Sequence, residues 1–277
     1  MAPGRLSVCA TPIGNLGDVT LRVLDTLRCA DVIAAEDTRV TRTLLARYDI
    51  DTPLQSYHAH NIAARTPGLV GRITAGGHVA LVSDAGTPGI SDPGAHLVDA
   101  CIAADLAVEV LPGPSAIITA LVASGLPTHA FFFAGFLPRK AGERVARLEK
   151  LATLDATLVF YESPRRTAAT VAALASVLPD REACMARELT KLHEEVVRAP
   201  VARLAELLAD RELKGEVVLL VGPPVPGERP PLDHVAVSAR LEELAQAGVS
   251  RSDAVRRVAA ELGVPRNDVY RIAHGGT

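Results

Sequence analysis

The residues able to do chemistry are concentrated in short loops rich in glycine, proline and acidic side chains. The richest, SDAGTPGISDPG at 83–94, holds Gly86, Gly89 and Gly94, Pro88 and Pro93, and Asp84 and Asp92. Glycines let the backbone approach a ligand closely, prolines stiffen the loop, and the aspartates can orient a hydroxyl or ammonium group. A loop of this length and composition reads as a binding loop more readily than as an elaborate turn. TPIGNLGD at 11–18 offers Gly14 and Gly17 in the same way, but it has neither the full G-x-G-x-x-G nor a Walker lysine. Alone it reads equally as an ordinary strand-to-helix turn. In PGPSA at 112–116, Ser115 can cap a following helix and turn its amides toward a ligand, although the segment also reads as a hinge.

Polar clusters are fewer. AEDTR at 35–39 sets two adjacent carboxylates beside an arginine, a grouping that can position or deprotonate a hydroxyl, or form an exposed salt-bridged loop. His58 and His60 in SYHAHN (56–61) project to one side of an extended segment, as two metal ligands would. No third ligand accompanies them at ligand spacing, so the sequence predicts no metal and a polar loop facing substrate. FYESPRR (160–166) and ARELTKLHE (186–194) place charges directly after predicted strands, where solvated helix starts are the competing explanation. The absence of G-x-S-x-G and H-E-x-x-H argues against serine hydrolase and zincin chemistry.

The elements that must position these loops alternate. Apolar runs at 6–10, 32–35, 79–83 and 108–111 read as strands, and 20–29, 41–48, 63–75 and 94–104 carry helical spacing. Such alternation predicts a mostly parallel sheet covered on both faces, with ligands outside the carboxyl ends of its strands. After Pro112 the pattern restarts: helices at 115–124, 142–152, 164–177 and 201–210, strands at 131–136, 157–161, 183–187 and 216–221. The fold class is therefore α/β with two α/β domains, residues 1–112 and 113–222. A proline-rich linker (223–231) leads to a small helical tail (232–277). In the tail, 238–246, 252–262 and 267–273 read as helices, and Gly263-Val264-Pro265 between the last two gives helix-turn-helix spacing. A plain three-helix module fits the same pattern.

Composition bounds the rest. The 277 residues are 48% hydrophobic and 22% charged, enough for a substantial core and incompatible with disorder over most of the length. A net charge of -3 gives no global field toward nucleic acid or anionic lipid, so any such binding must use a local patch. With 3% aromatics and no tryptophan, a large base-stacking platform is excluded. Cys9, Cys29, Cys101 and Cys184 are isolated and read as reduced thiols of a cytoplasmic protein. Met1–Arg5 has no secretory pattern. The stretch 111–138 lacks Asp, Glu, Lys and Arg, but its prolines and glycines break it into pieces too short to span a bilayer.

Taken together, TPIGNLGD, AEDTR, SYHAHN, SDAGTPGISDPG, PGPSA, FYESPRR and ARELTKLHEE (186–195) resemble the small-subunit ribosomal RNA methyltransferase I family, ribose 2'-O-methyltransferases of the tetrapyrrole methylase fold. The resemblance runs from about Leu6 to Gly222, and the tail is similar to that family's extra C-terminal domain. DAGTPGISDPG with FYESPRR is the specific part. TPIGNLGD departs from the G-x-G-x-G-D first loop common among corrin and porphyrin methylases.

The resemblance implies a cofactor cleft between the two α/β domains. It also implies methyl transfer from S-adenosylmethionine to a cytidine ribose 2'-hydroxyl of 16S ribosomal RNA in the small subunit. Cofactor contacts would come from Pro12, Ala85, Gly86, Thr87, Ile90, Ser115, Ala116, Glu162 and Leu189, several through backbone groups; Glu162 is an acid where relatives of this fold can be apolar. In-line attack on a sulfonium methyl needs no metal, and a proton acceptor would assist the weak hydroxyl nucleophile. Asp37 is the first candidate and His60 the second. Arg39, Arg42, Arg139, Lys140, Arg144, Arg165, Arg166, Arg256 and Arg257 are the cations available to RNA phosphates. A homodimer, a cytoplasmic location and no membrane association are further expectations. Two other readings compete: methylation of a tetrapyrrole or another small acceptor on the same fold, and a ligand-sensing regulator that reads DNA with its C-terminal helices.

Overall fold

The computed structural model describes residues 4–92, 94–224, 234–262, 264 and 266–273. The chain divides into two compact units: Met1–Ala123 with Ala186–Glu195, and Ser124–Met185 with Val196–Thr277. The expected boundary after residue 112 is thus displaced. The helix beginning at Ala116 groups with the first unit, which also takes back the segment around residue 190.

In the first unit β1 (Arg5–Cys9), β2 (Val32–Ala35), β3 (Leu54–Ser56), β4 (His78–Val82) and β5 (Ala107–Leu111) form one sheet in the order β3-β2-β4-β1-β5. All its neighbouring strands are parallel. Its three inner strands, β2, β4 and β1, are near-continuous buried runs because successive residues face opposite sides and both sides are covered. Ala80 and Val82 pack with Val23, Leu24 and Leu27 of α1 (Leu21–Cys29) and Leu44 and Leu45 of α2 (Thr38–Arg47). Val79 and Leu81 pack on the other side with Leu69 and Ile73 of α3 (Ile62–Thr74) and Leu97 and Cys101 of α4 (Ala95–Ala103). Each buried leucine is worth about 1.5–3 kcal/mol. α5 (Ala116–Ser124) follows β5 and buries Ile117, Ala120 and Leu121.

The second unit carries β6 (Phe131–Phe136), β7 (Thr157–Glu162), β8 (Glu182–Arg187), β9 (Glu195–Pro200) and β10 (Val217–Val221) in the order β6-β7-β10-β8-β9. This sheet is mixed: β6 runs parallel to β7, and β10 antiparallel to it. Its core joins Leu158, Phe160, Met185, Leu219 and Val221 to apolar residues of α6 (Ala141–Leu151), α7 (Pro164–Val177) and α8 (Val201–Leu208).

Two strands escape sequence reading. β3 is only LQS, too short to show alternation, and β9 (EVVRAP) is an edge strand with a charge inside it. In the tail, α9 (His234–Gln246), α10 (Arg251–Leu262) and α11 (Arg266–Ala273) pack around Val237, Leu244, Val255, Val258 and Val269, which is a three-helix module. Gly263 and Pro265 of its expected turn, Pro93, and the linker residues 225–231 with 232–233 lie outside the described residues. Among the described residues no helix is long and apolar enough to cross a membrane.

Candidate active site at the carboxyl edge of the first sheet

Because the first sheet is parallel, the loops after all five strands leave from one edge, the place where open α/β sheets bind ligands. TPIGNLGD follows β1, AEDTR ends β2, SYHAHN ends β3, SDAGTPGISDPG follows β4 and PGPSA follows β5.

Hydrogen bonds and close approaches tie these loops together. Thr11 N donates to Gly86 O (2.9 Å) and Gly86 N to Thr11 O (3.0 Å), while Thr11 Oγ1 donates to Ser83 O (3.1 Å). Gly86 has φ +77°, a conformation that side chains rarely adopt. A Cβ at Gly86 would meet Pro114 O at 3.8 Å, and one at Gly113 would meet the Ala10 methyl at 2.8 Å, so the β5 loop lies against both others. A Cβ at Gly14 would stand 2.8 Å from Leu189 O and 2.5 Å from Lys191 Cγ, which requires glycine where the 186–195 segment crosses the first loop. Asp92 Oδ1 accepts from Gly89 N (2.8 Å) and Gly94 N (2.7 Å) and so organises the binding loop from within.

Pro12, Ala85, Gly86, Thr87, Ile90, Ser115, Ala116 and Leu189 all belong to this unit, on loops linked by these contacts. Ala85 and Ile90 are exposed, and Ser115 Oγ accepts from Ile118 N (3.5 Å) at the start of α5. Glu162 belongs to the second unit, where its carboxylate is already engaged. It accepts from Ser163 N (2.8 Å) and Thr170 Oγ1 (2.6 Å) and pairs with Arg166 (3.3 Å). A ligand contact by that side chain is therefore disfavoured.

The carboxylates at the ends of β2 and β4 are cross-linked. Asp37 N donates to Asp84 Oδ1 (2.9 Å), and the Asp84 backbone favours the ionised form of the nearby Glu36 carboxyl. Asp37, the first candidate base, instead caps α2 through Arg39 N (2.8 Å) and takes the Arg39 guanidinium at 2.6 Å. The Arg39 hydrogen bonds hold its carboxyl down at about 2, which makes it a poor proton acceptor. Glu36 is the opposite case. Half-burial pushes its carboxyl up, reinforced by Asp84, Asp92 and Asp37; Asp84 is likewise raised by desolvation. The adjacency of two acids pointed to this place, but which of them keeps its partner is decided by the α2 cap.

His60 is exposed, and its backbone N–H donates to His58 Nδ1 (3.3 Å); Asn61 Nδ2 lies 3.2 Å from His58 Nε2. Among the described residues no group of three or more His, Cys, Asp or Glu is placed to hold a metal.

The cations separate by environment. Arg42, Arg139, Lys140, Arg165, Arg256 and Arg257 are exposed, as is Arg39 despite its aspartate. Lys140 pairs with Glu143 (2.9 Å) and Arg256 with Asp253 (2.7 Å), exposed pairs that water screens. Arg144 does not fit the expected surface role: it is 8% exposed, and its NH1 donates to Arg139 O (3.3 Å). Arg166 is mostly buried on Leu137 O, Pro138 O and Glu162.

A parallel first sheet, a mixed second sheet and a carboxyl-edge site define a class of methyltransferases. The family model for tetrapyrrole (corrin/porphyrin) methylases matches residues 5–205, and the chain belongs to that family. Within it the chain belongs with proteins named ribosomal RNA small subunit methyltransferase I. It is 44% identical to the one from Synechocystis sp., over 98% of this chain and 97% of that protein, and 43% identical to the one from Halalkalibacterium halodurans, over 98% and 95%. The fold is shared with uroporphyrin-III C-methyltransferase from Thermus thermophilus, at a TM-score of 0.58 and 23% identity over 79% of this chain and 94% of that one. A structure of uroporphyrin-III C-methyltransferase from the same organism, complexed with S-adenosylhomocysteine, matches with a TM-score of 0.57 and 21% identity over 79% and 97%.

Proposed function

We propose that this chain transfers the methyl group of S-adenosylmethionine to the 2'-hydroxyl of a cytidine ribose in the 16S RNA of the small ribosomal subunit. The observation that carries the substrate is the alignment with the ribosomal relatives. It covers 98% of the chain and so runs on into the helical tail, well past residue 205 where the general methylase model ends. Methylation of a tetrapyrrole, by contrast, rests only on structural neighbours below 25% identity, which speak for fold alone.

The residues present fit the cofactor. Ala85, Gly86, Thr87 and Ala116 offer backbone groups with little side-chain bulk, as a flat adenosine and a methionine tail require. Burial pushes the carboxyls of both Glu36 and Asp84 up, and neighbouring aspartates add to it, Asp84, Asp92 and Asp37 at Glu36 and Asp37 and Asp92 at Asp84; a sulfonium and an ammonium would relieve this negative charge. Bound S-adenosylmethionine supplies an electrophilic methyl whose bond to sulfur breaks as the ribose oxygen bonds to carbon.

The chain's own part is to hold the hydroxyl in line and to take its proton. Glu36 is the proton acceptor in this reading, with His60 the alternative. Asp37 positions Arg39 and starts α2. Arg39 and Arg42 stand nearest the carboxyl edge in sequence and lead toward RNA phosphates, with Arg256 and Arg257 on the tail as a separate contact. No metal takes part in this scheme. Val110, Ile118, Val122 and Leu192 of the first unit are exposed apolar side chains that a second copy would cover, in keeping with a homodimer, and the enzyme would work in the cytoplasm. The test is transfer of tritiated methyl to small subunits from a strain lacking the modification. Label in the RNA, sensitive to Glu36→Gln, is expected; label in a tetrapyrrole acceptor instead would overturn the reading.

A further inference from the structure

The second unit carries a polar and aromatic edge that the methyl-transfer scheme leaves unused. β6 and β7 are parallel neighbours, so the 137–140 loop after β6 and the start of α7 leave their sheet from the same edge. Three consecutive loop carbonyls are turned to inner guanidiniums: Arg166 NH2 donates to Leu137 O (2.7 Å) and Pro138 O (3.2 Å), and Arg144 NH1 donates to Arg139 O (3.3 Å). With its acceptors facing inward, the loop offers few groups that would repel an anion. Arg139 and Lys140 are exposed on it, and Arg165 is exposed next to the guanidinium that holds it.

Beside these cations lies an aromatic ring that burial does not account for. Phe136 is 56% exposed. The β6–β7 register shifts between Phe133 and Phe136, with Gly135 at φ +66°. As a result both rings flank Tyr161, at 4.9 and 5.8 Å between centroids. A bulge of this kind re-aims a side chain, and here it supports an exposed ring from beneath while leaving it accessible. An acidic protein surface would match the cations but give the ring face nothing specific. A single-stranded nucleic acid supplies a π-face and a phosphate together.

We propose that this edge of the second unit is a docking surface for single-stranded RNA, in which a base stacks on Phe136 and the adjoining phosphates are held by Arg139, Lys140 and Arg165. Arg144 and Arg166 act beneath it as positioning residues for the loop. The proposal rests on the reading of the chain as an RNA methyltransferase and names the part of the surface that receives the RNA.

Two measurements on the full chain separate the proposal from that reading: anisotropy titration of a fluorescent single-stranded RNA across a salt series, and methyl transfer to unmodified small subunits. Phe136→Ala is expected to weaken RNA binding about tenfold, with Phe136→Tyr restoring it and Phe136→Leu failing to, since stacking rather than apolar volume is required. Arg139→Ala with Arg165→Ala should flatten the log-log salt slope by about 0.7 for each single-strand phosphate no longer neutralised. Wild-type affinity and slope in variants with native circular dichroism would overturn the docking surface, as would a polyglutamate that binds as tightly as RNA and is indifferent to Phe136→Ala. Absence of transfer by a wild-type protein whose RNA binding responds to these variants would reject the methyltransferase reading and leave the docking surface standing.

Discussion

Thr11 and Gly86 exchange both backbone hydrogen bonds, at 2.9 and 3.0 Å, and so lock the loop after β1 to the loop after β4. The pair lies 75 residues apart in sequence and is closed by the Thr11 hydroxyl, which reaches Gly86 O (3.5 Å) as well as Ser83 O. It fixes the spacing of the two glycine-bearing loops before any ligand arrives.

From this follows a glycine prediction. Gly86→Val forces a β-branched residue to φ +77°, with its branches directed at Ile13 and Pro114 O. Calorimetric titration should show loss of S-adenosylmethionine binding, while the apolar cores on either side of the sheet keep the far-ultraviolet spectrum near native. Wild-type affinity in a folded variant would remove this loop from the site.

The two neighbouring acids should behave oppositely with pH. The Glu36 carboxyl is raised in the cofactor-free protein, so as a base it is lost when pH falls through a value above that of an ordinary glutamate, and the acid limb of kcat/KM for S-adenosylmethionine should sit there. Glu36→Gln should lower kcat about 100-fold and abolish that limb. The Asp37 carboxyl, held at about 2, stays ionised throughout the working range and is the smallest of the charges that raise Glu36, so Asp37→Asn should keep the limb and shift it only slightly downward. Its sign in stability is also opposite. The lowered Asp37 stabilises the fold above the ordinary aspartate value and ceases to as pH falls toward 2, whereas ionised Glu36 destabilises the fold and is relieved by protonation. A limb that disappears in Asp37→Asn and persists in Glu36→Gln would reverse the assignment.

The thiols should separate in alkylation. Cys29 is exposed, whereas burial pushes Cys9 up to about 12 and Cys184 up to about 11, and Cys101 is buried as well. Mass spectrometry after brief treatment of the native protein with iodoacetamide should find Cys29 modified first and the other three only after unfolding.

Much of this architecture was legible in the sequence, because buried parallel strands leave continuous apolar runs and amphipathic helices leave their own period. Val32–Ala35 and Pro164–Val177 stand where the residues put them. β3 and β9 were not legible, since a three-residue strand has no period and an edge strand with an arginine inside it resembles a loop. The carboxyl-edge loops announced themselves through glycine and proline. The distribution of charge among Glu36, Asp37 and Asp84 did not, because it depends on which backbone N–H each carboxylate receives. Arg144 failed for a related reason: its helix face, rather than its charge, decided that it would be buried.

The tail should act on the substrate alone. Its own core of Val237, Leu244, Val255, Val258 and Val269 makes it a self-contained module, and the carboxyl-edge loops lie wholly upstream of it. Deletion of residues 232–277 should leave S-adenosylmethionine affinity unchanged and raise KM for small subunits. Arg256→Ala with Arg257→Ala should flatten the salt dependence by about one unit of log-log slope for each phosphate that the tail no longer holds. Loss of cofactor binding in the truncated protein would make the tail a structural brace.

The most direct test of the central claim is the position of the methyl group on the RNA. Small subunits from a strain lacking the modification are incubated with the protein and S-adenosylmethionine, and the 16S RNA is then cleaved with alkali, which requires a free 2'-hydroxyl. One new resistant phosphodiester 3' to a cytidine, absent with Glu36→Gln, is the predicted result. Incorporated methyl with no alkali-resistant position would place it on a base and contradict the account.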